Sequence, residues 1–296
     1  MSIPNKHSKA EKVFDAFNII LMIMLCMAFL YPVLNVLAIS LSGSGPILRG
    51  EVSFFPREFN TSGYANILVN ASIWRAYANT IFVASFGVVL GLAMTCLAAY
   101  PMAFGKFHGK KIYTFMILFT MWFGGGLIPT YLVMSRLNLI NTHWVLILNL
   151  LISPFNVIIL KSFFHSIPIA LIESAKLDGA NDLVCMMKIV LPLSKPALAT
   201  IGLWIIVAHW NDFMGPLMYL TDRSMFTLQV VLNDIVLQAS GALHGVESAV
   251  QAGDGSITVP QQVQNAVIFV SMVPMLAIYP FLQKYFVKGI MVGSIK

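Results

Sequence analysis

The sequence predicts an all-α membrane protein with six transmembrane helices. Of its 296 residues, 58% are hydrophobic and only 10% are charged, whereas soluble domains usually carry about 25% charged residues. The mean hydropathy is +0.82. Six separate apolar runs each approach or exceed the length of about 20 residues that crosses the hydrocarbon core of a bilayer. Most of the chain is therefore expected to lie in lipid.

The boundaries of the apolar runs define the predicted spans. The first run is too long for the apolar core of a signal peptide, which has about 7–15 residues, and we therefore predict a retained span. The chain is expected to form a single transmembrane domain over residues 1–296. Its spans are predicted at residues 14–41, 76–104, 112–134, 142–164, 197–220 and 265–283.

Lysine and arginine are distributed unevenly among the loops. Thirteen lysines fall at the two termini, in the turn at 105–111 and in residues 161–196, whereas five arginines fall on the opposite side. An excess of basic residues marks cytoplasmic loops. We therefore expect both termini to be cytoplasmic, together with a polar segment at residues 166–192. A long, mostly polar loop at 221–264 is expected outside.

The polar segment (residues 166–192) has the local signals of two short helices. Ser166 could cap the first, and Pro168 suits its first turn, where a missing N–H costs nothing. Gly179 could adopt the left-handed conformation that ends a helix. Asn181 or Asp182 could then cap the second helix.

Pro192 and Pro196 are expected to end this second helix before the next span. Composition alone leaves two interpretations of the segment open. It could be an ordinary cytoplasmic loop with some helix, or a surface that another protein approaches closely, because Ser174, Ala175 and Ala180 are small.

The three cysteines are interpreted as small apolar core residues. Cys26 and Cys96 fall inside apolar runs, and Cys185 lies in the polar segment. No metal-ligand spacing connects them, so neither a disulfide framework nor a metal site is predicted.

A spaced motif occupies residues 173–192: Glu-Ser-Ala, three residues, Gly, nine residues, Ile, one residue, Leu-Pro. It resembles the EAA motif of bacterial ABC importer permeases, EAA-x3-G-x9-I-x-LP. The one departure, Ser174 for alanine, exchanges one small residue for another. In that family the motif forms a cytoplasmic coupling helix that docks into a groove of an ATPase subunit. The resemblance implies an ATPase-coupling role for Glu173, Ser174, Ala175, Asp178, Gly179, Ile189, Leu191 and Pro192.

Further segments extend the resemblance over nearly the whole chain. They are similar to the MalG-like permeases of carbohydrate uptake, and closest to the polysaccharide and oligosaccharide branch typified by LplC and YtcP. This implies the MetI-like permease fold of type I ABC importers, with a coupling helix-turn-helix at 166–192. The segments are Asn79-Thr80, Ala99-Tyr100-Pro101, Gly125-Gly126, Pro129-Thr-Tyr131, Trp210-Asn211-Asp212 and residues 285–294.

The same resemblance implies the partners. The sequence contains no G-x-x-x-x-G-K-[ST] phosphate loop, so this chain is predicted not to be an enzyme by itself and to hold no cofactor. ATP and magnesium would be bound by two ATPase subunits. A second permease subunit would form the other half of the pathway in the bacterial cytoplasmic (inner) membrane. An external solute-binding protein would deliver the sugar, and no nucleic acid is expected.

Side chains that suit a sugar pathway occur in the later spans. A pyranose has apolar faces and hydroxyl edges, which favour aromatic platforms beside polar groups. Trp144 and Trp204 fit this chemistry too, although Trp144 is more typical of an interfacial belt. His209 is assigned no role. The substrate-pathway candidates are Trp122, Tyr131, Trp210, Asn211, Asp212 and Tyr219.

Two points stay open from the sequence. The substrate is expected to be an oligo- or polysaccharide, and the external arginines leave an acidic one, such as an alginate- or pectin-derived chain, as an option. The alternative function is an ion-coupled secondary transporter or channel subunit, which would favour several intramembrane carboxylates. Only Asp212 is a clear candidate. A scaffold without transport activity would leave the EAA spacing unexplained.

Overall fold

The computed structural model describes residues 9–238 and 260–294, and in these ranges all regular structure is helical. The predicted all-α class is confirmed. The helices are α1 (Lys9–Ser40), α2 (Ser44–Leu48), α3 (Ser62–Val69), α4 (Ala71–Phe104), α5 (Lys110–Trp122), α6 (Leu127–Arg136), α7 (His143–Asn149), α8 (Pro154–His165), α9 (Ile169–Leu177), α10 (Asp182–Leu193), α11 (Lys195–Asn211), α12 (Met214–Tyr219), α13 (Leu228–Gln238) and α14 (Pro260–Ser294).

The helices supply up to six candidate membrane spans in the part of the chain that the structure describes. Three helices, α1, α4 and α14, are long and apolar enough to cross a membrane singly. Three bent pairs pass the same test of length and composition: α5 with α6 at 115°, α7 with α8 at 52°, and α10 with α11 at 85°. In the last pair, α10 lies in the polar segment and only α11 falls in the predicted fifth span.

Two of the spans predicted as continuous are divided in the structure. The predicted span at 112–134 is broken between α5 and α6 by three consecutive glycines, of which Gly126 has a φ of +82°. That region of backbone space favours glycine. The predicted span at 142–164 is broken before Pro154, where the extended Ser153 precedes the proline. A residue before proline is disfavoured in the helical conformation.

The end of the predicted fifth span and the loop after it also differ. Within residues 197–220, α11 ends at Asn211 and the short α12 follows it. The predicted loop at 221–264 includes α13 and the start of α14, while residues 239–259 lie outside the described residues. The last helix extends beyond the predicted end at residue 283 to Ser294.

One compact unit is formed by the described residues within Met1–Asn70 and Asp234–Met272. Gln262 is fully buried here, and its side chain accepts a hydrogen bond from the Ser62 hydroxyl at 3.1 Å. The hydroxyls of Ser40 and Tyr64 are 2.7 Å apart. By contrast, α1 has apolar side chains that are exposed over most of its length, which suits contact with lipid.

Two arginines of this unit already have an acidic partner. Glu51 accepts from Arg49 at 2.8 Å and from Arg57 at 3.4 Å. Because these two guanidinium groups are already paired, they give less support to the hypothesis that the arginines predicted to lie outside bind an anionic sugar.

The second unit is formed by residues within Ala71–Asn233 and Val273–Lys296. Its main helix, α4, packs against α8 and α11. Near the start of α4, the Asn79 amide donates to the carbonyls of Ser224 and Phe226 at 2.9 and 3.0 Å. The next residue, Thr80, accepts the N–H of Leu228 at 2.9 Å. The Asn-Thr pair therefore fixes the segment between α12 and α13 against α4.

Candidate functional site

The polar segment folds as two short helices joined by a tight turn, as the sequence predicts. The first helix, α9, ends before Gly179, whose φ of +86° is left-handed. Glycine adopts this conformation without steric cost. Asn181 caps α10, because its side-chain oxygen accepts the N–H of Val184 at 2.8 Å.

Two details of that prediction are wrong. Ser166 does not cap α9, because its hydroxyl donates to a carbonyl of α8 at 2.7 Å. Pro168 precedes α9 and is not part of its first turn. The second helix ends at Leu193, between Pro192 and Pro196 as predicted. A π-helical turn at Met186–Val190 comes just before Pro192, where its ring removes one N–H from the helix.

Two contacts hold the helices of the segment to each other and to α4. The Lys176 ammonium on α9 lies 2.7 Å from a carboxylate oxygen of Asp182 on α10. The same oxygen accepts a hydrogen bond from the Tyr100 hydroxyl at 3.2 Å. Tyr100 belongs to the Ala-Tyr-Pro sequence near the end of α4. The contact therefore connects the polar segment directly to a membrane-spanning helix.

This pairing changes the ionisation of both groups. The hydrogen bond from Lys176 holds the pKa of Asp182 below its ordinary value, and the same contact raises the pKa of Lys176. A lowered carboxyl pKa stabilises the folded chain above the ordinary value of about 4. The contribution is lost as the pH falls through the lowered pKa. At the alkaline end it is lost as the pH rises through the raised pKa of Lys176.

We expect Asp182→Asn to lower the free energy of unfolding only slightly at pH 7. The two side chains are 45% and 67% exposed, and exposed pairs contribute about 0.2–1 kcal/mol. Thermal unfolding of wild type, Asp182→Asn, Lys176→Gln and the double variant gives the coupling between the two charges. The coupling should shrink in high salt and as the pH falls below about 4. A coupling that stayed constant under both conditions would contradict the ion pair.

The inner face of the segment is part of the main core of the second unit. Ile172, Cys185, Met186 and Val190 are buried there, in one cluster with Phe164 of α8 and several residues of α4 and α11. A displacement of the segment therefore acts on three packed helices at once, because close-packed interiors transmit strain.

The outer face of the segment exposes apolar side chains. Leu177 is 89% exposed at the end of α9, and Leu183 and Met187 are 60% and 55% exposed on α10. Leu183 and Met187 are four residues apart and so share one side of α10, and exposed apolar groups on a shared side suit contact with another protein.

Some motif residues lie on the buried inner face of the polar segment, and others are exposed to its outside. Ile189 and Leu191 are half-buried and pack on the main core, whereas most of the others are exposed. Glu173 lies beyond the first turn of α9, so it does not satisfy the free N–H groups at the helix start. It lines a cavity of about 400 Å³ together with Tyr100, Lys106 and Lys176. The exposed motif residues are Glu173, Ser174, Asp178, Gly179 and Pro192, with Ala175 half-buried.

The structure brings two of the six pathway candidates together. The rings of Tyr131 and Tyr219 are stacked, with centroids 5.9 Å apart and planes at 8°. Trp210 is buried and packs edge-on against Tyr77 at 6.1 Å. Trp122 is 82% exposed at the end of α5.

Asn211 and Asp212 stand at a helix end and not inside a continuous span. Asn211 is exposed as the last residue of α11. Asp212 accepts the N–H of Gly215 at 2.9 Å, and a Cβ on this glycine would overlap the carboxylate. Asp212 therefore has a structural role in starting α12.

Sequence reasoning missed two groups of residues. The first is the contact of Tyr100 with Asp182, which joins positions 82 residues apart. The second is a cavity at the break between α7 and α8, where Asn149, Asn156 and His209 meet. The signal for this cavity in the sequence is a pair of asparagines, Asn149 and Asn156, seven residues apart in the predicted fourth span.

Comparison with known proteins identifies the family. The family model "Binding-protein-dependent transport system inner membrane component" matches residues 87–243. YtcP of Bacillus subtilis strain 168, a polygalacturonan/rhamnogalacturonan transport system permease protein, is 38% identical over 97% of this chain and 99% of its own length. The chain belongs to this permease family. Protein LplC of the same organism is 36% identical over 98% of the chain and 97% of LplC.

A solved structure agrees with this assignment. A bacterial ABC transporter involved in the import of the acidic polysaccharide alginate has a chain that superposes with a TM-score of 0.86. It is 31% identical and covers 95% of the permease and 99% of that chain. Family membership makes the protein a multi-pass inner-membrane permease subunit of an ABC importer, in which ATP hydrolysis belongs to a separate chain.

Proposed function

We propose that the permease forms half of the membrane pathway for an acidic oligo- or polysaccharide and couples it to a separate ATPase through residues 166–192. The observation that carries the coupling role is the two-sided structure of this segment. Its outer face exposes Leu177, Leu183 and Met187, and its inner face is packed into the core around α4, α8 and α11.

The coupling would act by displacement of the segment. An ATPase subunit that binds the outer face moves α9 and α10 when it closes on ATP. Ile172 and Val190 carry the displacement into the core by packing, and Asp182 carries it to α4 through Tyr100. Glu173 is exposed in the adjoining cavity beside Lys106 and would make a polar contact with the ATPase groove. ATP and magnesium would be bound by the ATPase chains and not by the permease.

The substrate class rests on the relatives. YtcP is named for polygalacturonan and rhamnogalacturonan, and the 31% identical structure for alginate. Both names describe uronate-containing polymers. We infer that the permease transports oligomers of the same acidic class. Its aromatic pathway residues would offer stacking surfaces to the sugar rings. Tyr131 is the exposed ring of its stacked pair, whereas Tyr219 is buried and supports it.

The remaining partners follow from the family architecture. A second, related permease subunit would complete the pathway, two ATPase subunits would bind at the cytoplasmic side, and an external solute-binding protein would deliver the substrate. The lysine-rich turns support an orientation with both termini in the cytoplasm. In that orientation the polar segment faces the ATPase.

The test combines co-purification with uptake. The permease should retain its ATPase subunits, and the full complex with its solute-binding protein should take up galacturonate or alginate oligomers in preference to neutral ones. Glu173→Lys with Gly179→Asp should abolish both ATPase binding and uptake. Gly109→Asp is the matched control, because Gly109 has the same φ of +86° and the same open surroundings outside the segment.

The coupling role and the acidic substrate class can each be contradicted separately. If the double variant still bound the ATPase and transported normally, the coupling assignment would be wrong. If wild-type complex preferred neutral oligosaccharides, the coupling would stand and the acidic substrate class would fall.

A further inference from the structure

A cavity of about 470 Å³ lies where α7 breaks before α8, beside α11. This volume is within the range of about 300–1,000 Å³ that is usual for small-molecule sites. Non-helical backbone at membrane depth is tolerated where it lies within protein or lines a cavity. Broken helices of this kind are common at the binding sites of transporters.

The floor of this cavity contains a histidine without a partner. His209 is 2% exposed, and neither of its ring nitrogens has a hydrogen-bond partner among the described residues. The ring lies directly over Gly87, where an added Cβ would overlap it. An unsatisfied buried polar group costs about 1–3 kcal/mol. Both nitrogens are covered by protein, and Nε2 faces Gly87, so a ligand hydroxyl would remove this cost once the ring rotates to turn a nitrogen toward the cavity.

Other side chains around the cavity match the two surfaces of a sugar ring. Asn156 is buried and lines the same cavity as His209, and Asn149 and Ser153 add polar groups at the helix break. The Ser153 hydroxyl is not used to cap α8. At the rim, Trp204 packs against Phe155 with centroids 5.6 Å apart.

We propose that this cavity is a saccharide subsite within the permease. His209 and Asn156 would hydrogen-bond sugar hydroxyls, and Trp204 would cover an apolar sugar face. Imidazole can both donate and accept, and so can an amide, which suits hydroxyl groups in either role. The inference rests on the proposed function, because it needs a sugar to enter the membrane pathway.

The polar floor distinguishes this assignment from an apolar occupant. A lipid chain or an apolar side chain of a partner would leave His209 and Asn156 unsatisfied, at the cost that makes such groups rare in lipid. The rim alone would fit either occupant, since Trp204 and Phe155 are about 38% and 49% exposed. The test therefore concentrates on the polar floor.

The experiment uses the complete transport complex in proteoliposomes with its solute-binding protein. The probe is a radiolabelled trigalacturonate, and the readouts are uptake, ATP hydrolysis without substrate and thermal unfolding. His209→Leu replaces the imidazole with an apolar side chain of similar size. We expect it and Trp204→Ala each to lower uptake per ATP hydrolysed by about threefold to tenfold, the effect of one or two lost contacts. Trp144→Ala is the control, an exposed tryptophan that packs on Phe86 away from the cavity.

The outcomes separate the subsite from the transport function itself. If His209 only fills space, leucine should leave uptake unchanged and raise thermal stability, because an unsatisfied polar group has been removed. That result would overturn the subsite while wild-type uptake upheld the proposed function. If Trp204→Ala behaved as Trp144→Ala does, the aromatic rim would have no role and the assignment would also be wrong. Absence of wild-type uptake would remove the proposed function and the subsite together.

Discussion

Replacing Phe164 with alanine is expected to lower the free energy of unfolding by about 3 kcal/mol, the largest effect of any single substitution considered. Phe164 is fully buried where α8 meets the polar segment, and it stacks on Phe104 at 6.5 Å. Burial of this kind costs about 3–5 kcal/mol to remove in soluble cores. The lower end applies because helices in lipid associate by packing and not by escape from water.

Thermal unfolding of the complex in detergent measures this effect. Phe115→Ala is the matched control, because Phe115 is 64% exposed on α5. We expect the control to unfold within a few degrees of wild type. Phe164→Ala should also reduce uptake per ATP hydrolysed, since the cavity that it leaves lies between the segment and α4. Equal melting temperatures for the two variants would show that this core does not hold the segment in place.

The second large effect on stability is expected from Gly87→Ala, which adds a methyl group at this position. A Cβ there would overlap the His209 imidazole, so α4 and α11 would have to separate or the ring would have to move. Overpacking of this kind costs about 1–3 kcal/mol. Gly87→Ala should therefore unfold at a clearly lower temperature. Gly202→Ala is the control on the same pair of helices, because its Cβ would meet Leu92 at an ordinary 3.4 Å.

The double variant Gly87→Ala with His209→Ala makes the test specific. Removing the ring should cancel most of the cost of the added methyl, giving a coupling of about 1–3 kcal/mol in a double-mutant cycle. Additive effects would mean that the methyl acts on some neighbour other than the imidazole.

Local chemistry explains what the sequence could predict. The turn between α9 and α10 follows from Gly179 and Asn181 alone, because a left-handed glycine and an amide cap act within four residues. The cap assigned to Ser166 was wrong because local sequence does not say which of two helices a hydroxyl serves. Its hydroxyl could serve the helix after it or the helix before it, and only the backbone path decides between them.

Long-range features could not be read in this way. Hydropathy predicted the position of the fourth span. It did not detect the break at Ser153, because the residues on both sides of the break are mostly apolar. The pairing of Tyr100 with Asp182 and the position of His209 over Gly87 depend on how distant helices pack. Sequence reasoning therefore gave no role to His209, which is buried and whose ring nitrogens have no hydrogen-bond partner among the described residues.

The triple junction of Lys176, Asp182 and Tyr100 has a mechanical consequence. Two short helices joined only by a glycine turn would form a hinge, and a force applied to one of them would be spent in closing the angle between them. Asp182 is joined to both sides, and the buried side chains of Ile172 and Cys185 place both helices in one core, so the two helices are expected to move together. Under the proposed function, a displacement of α9 or α10 by a partner protein would therefore reach α4 through Tyr100 as movement of the whole segment.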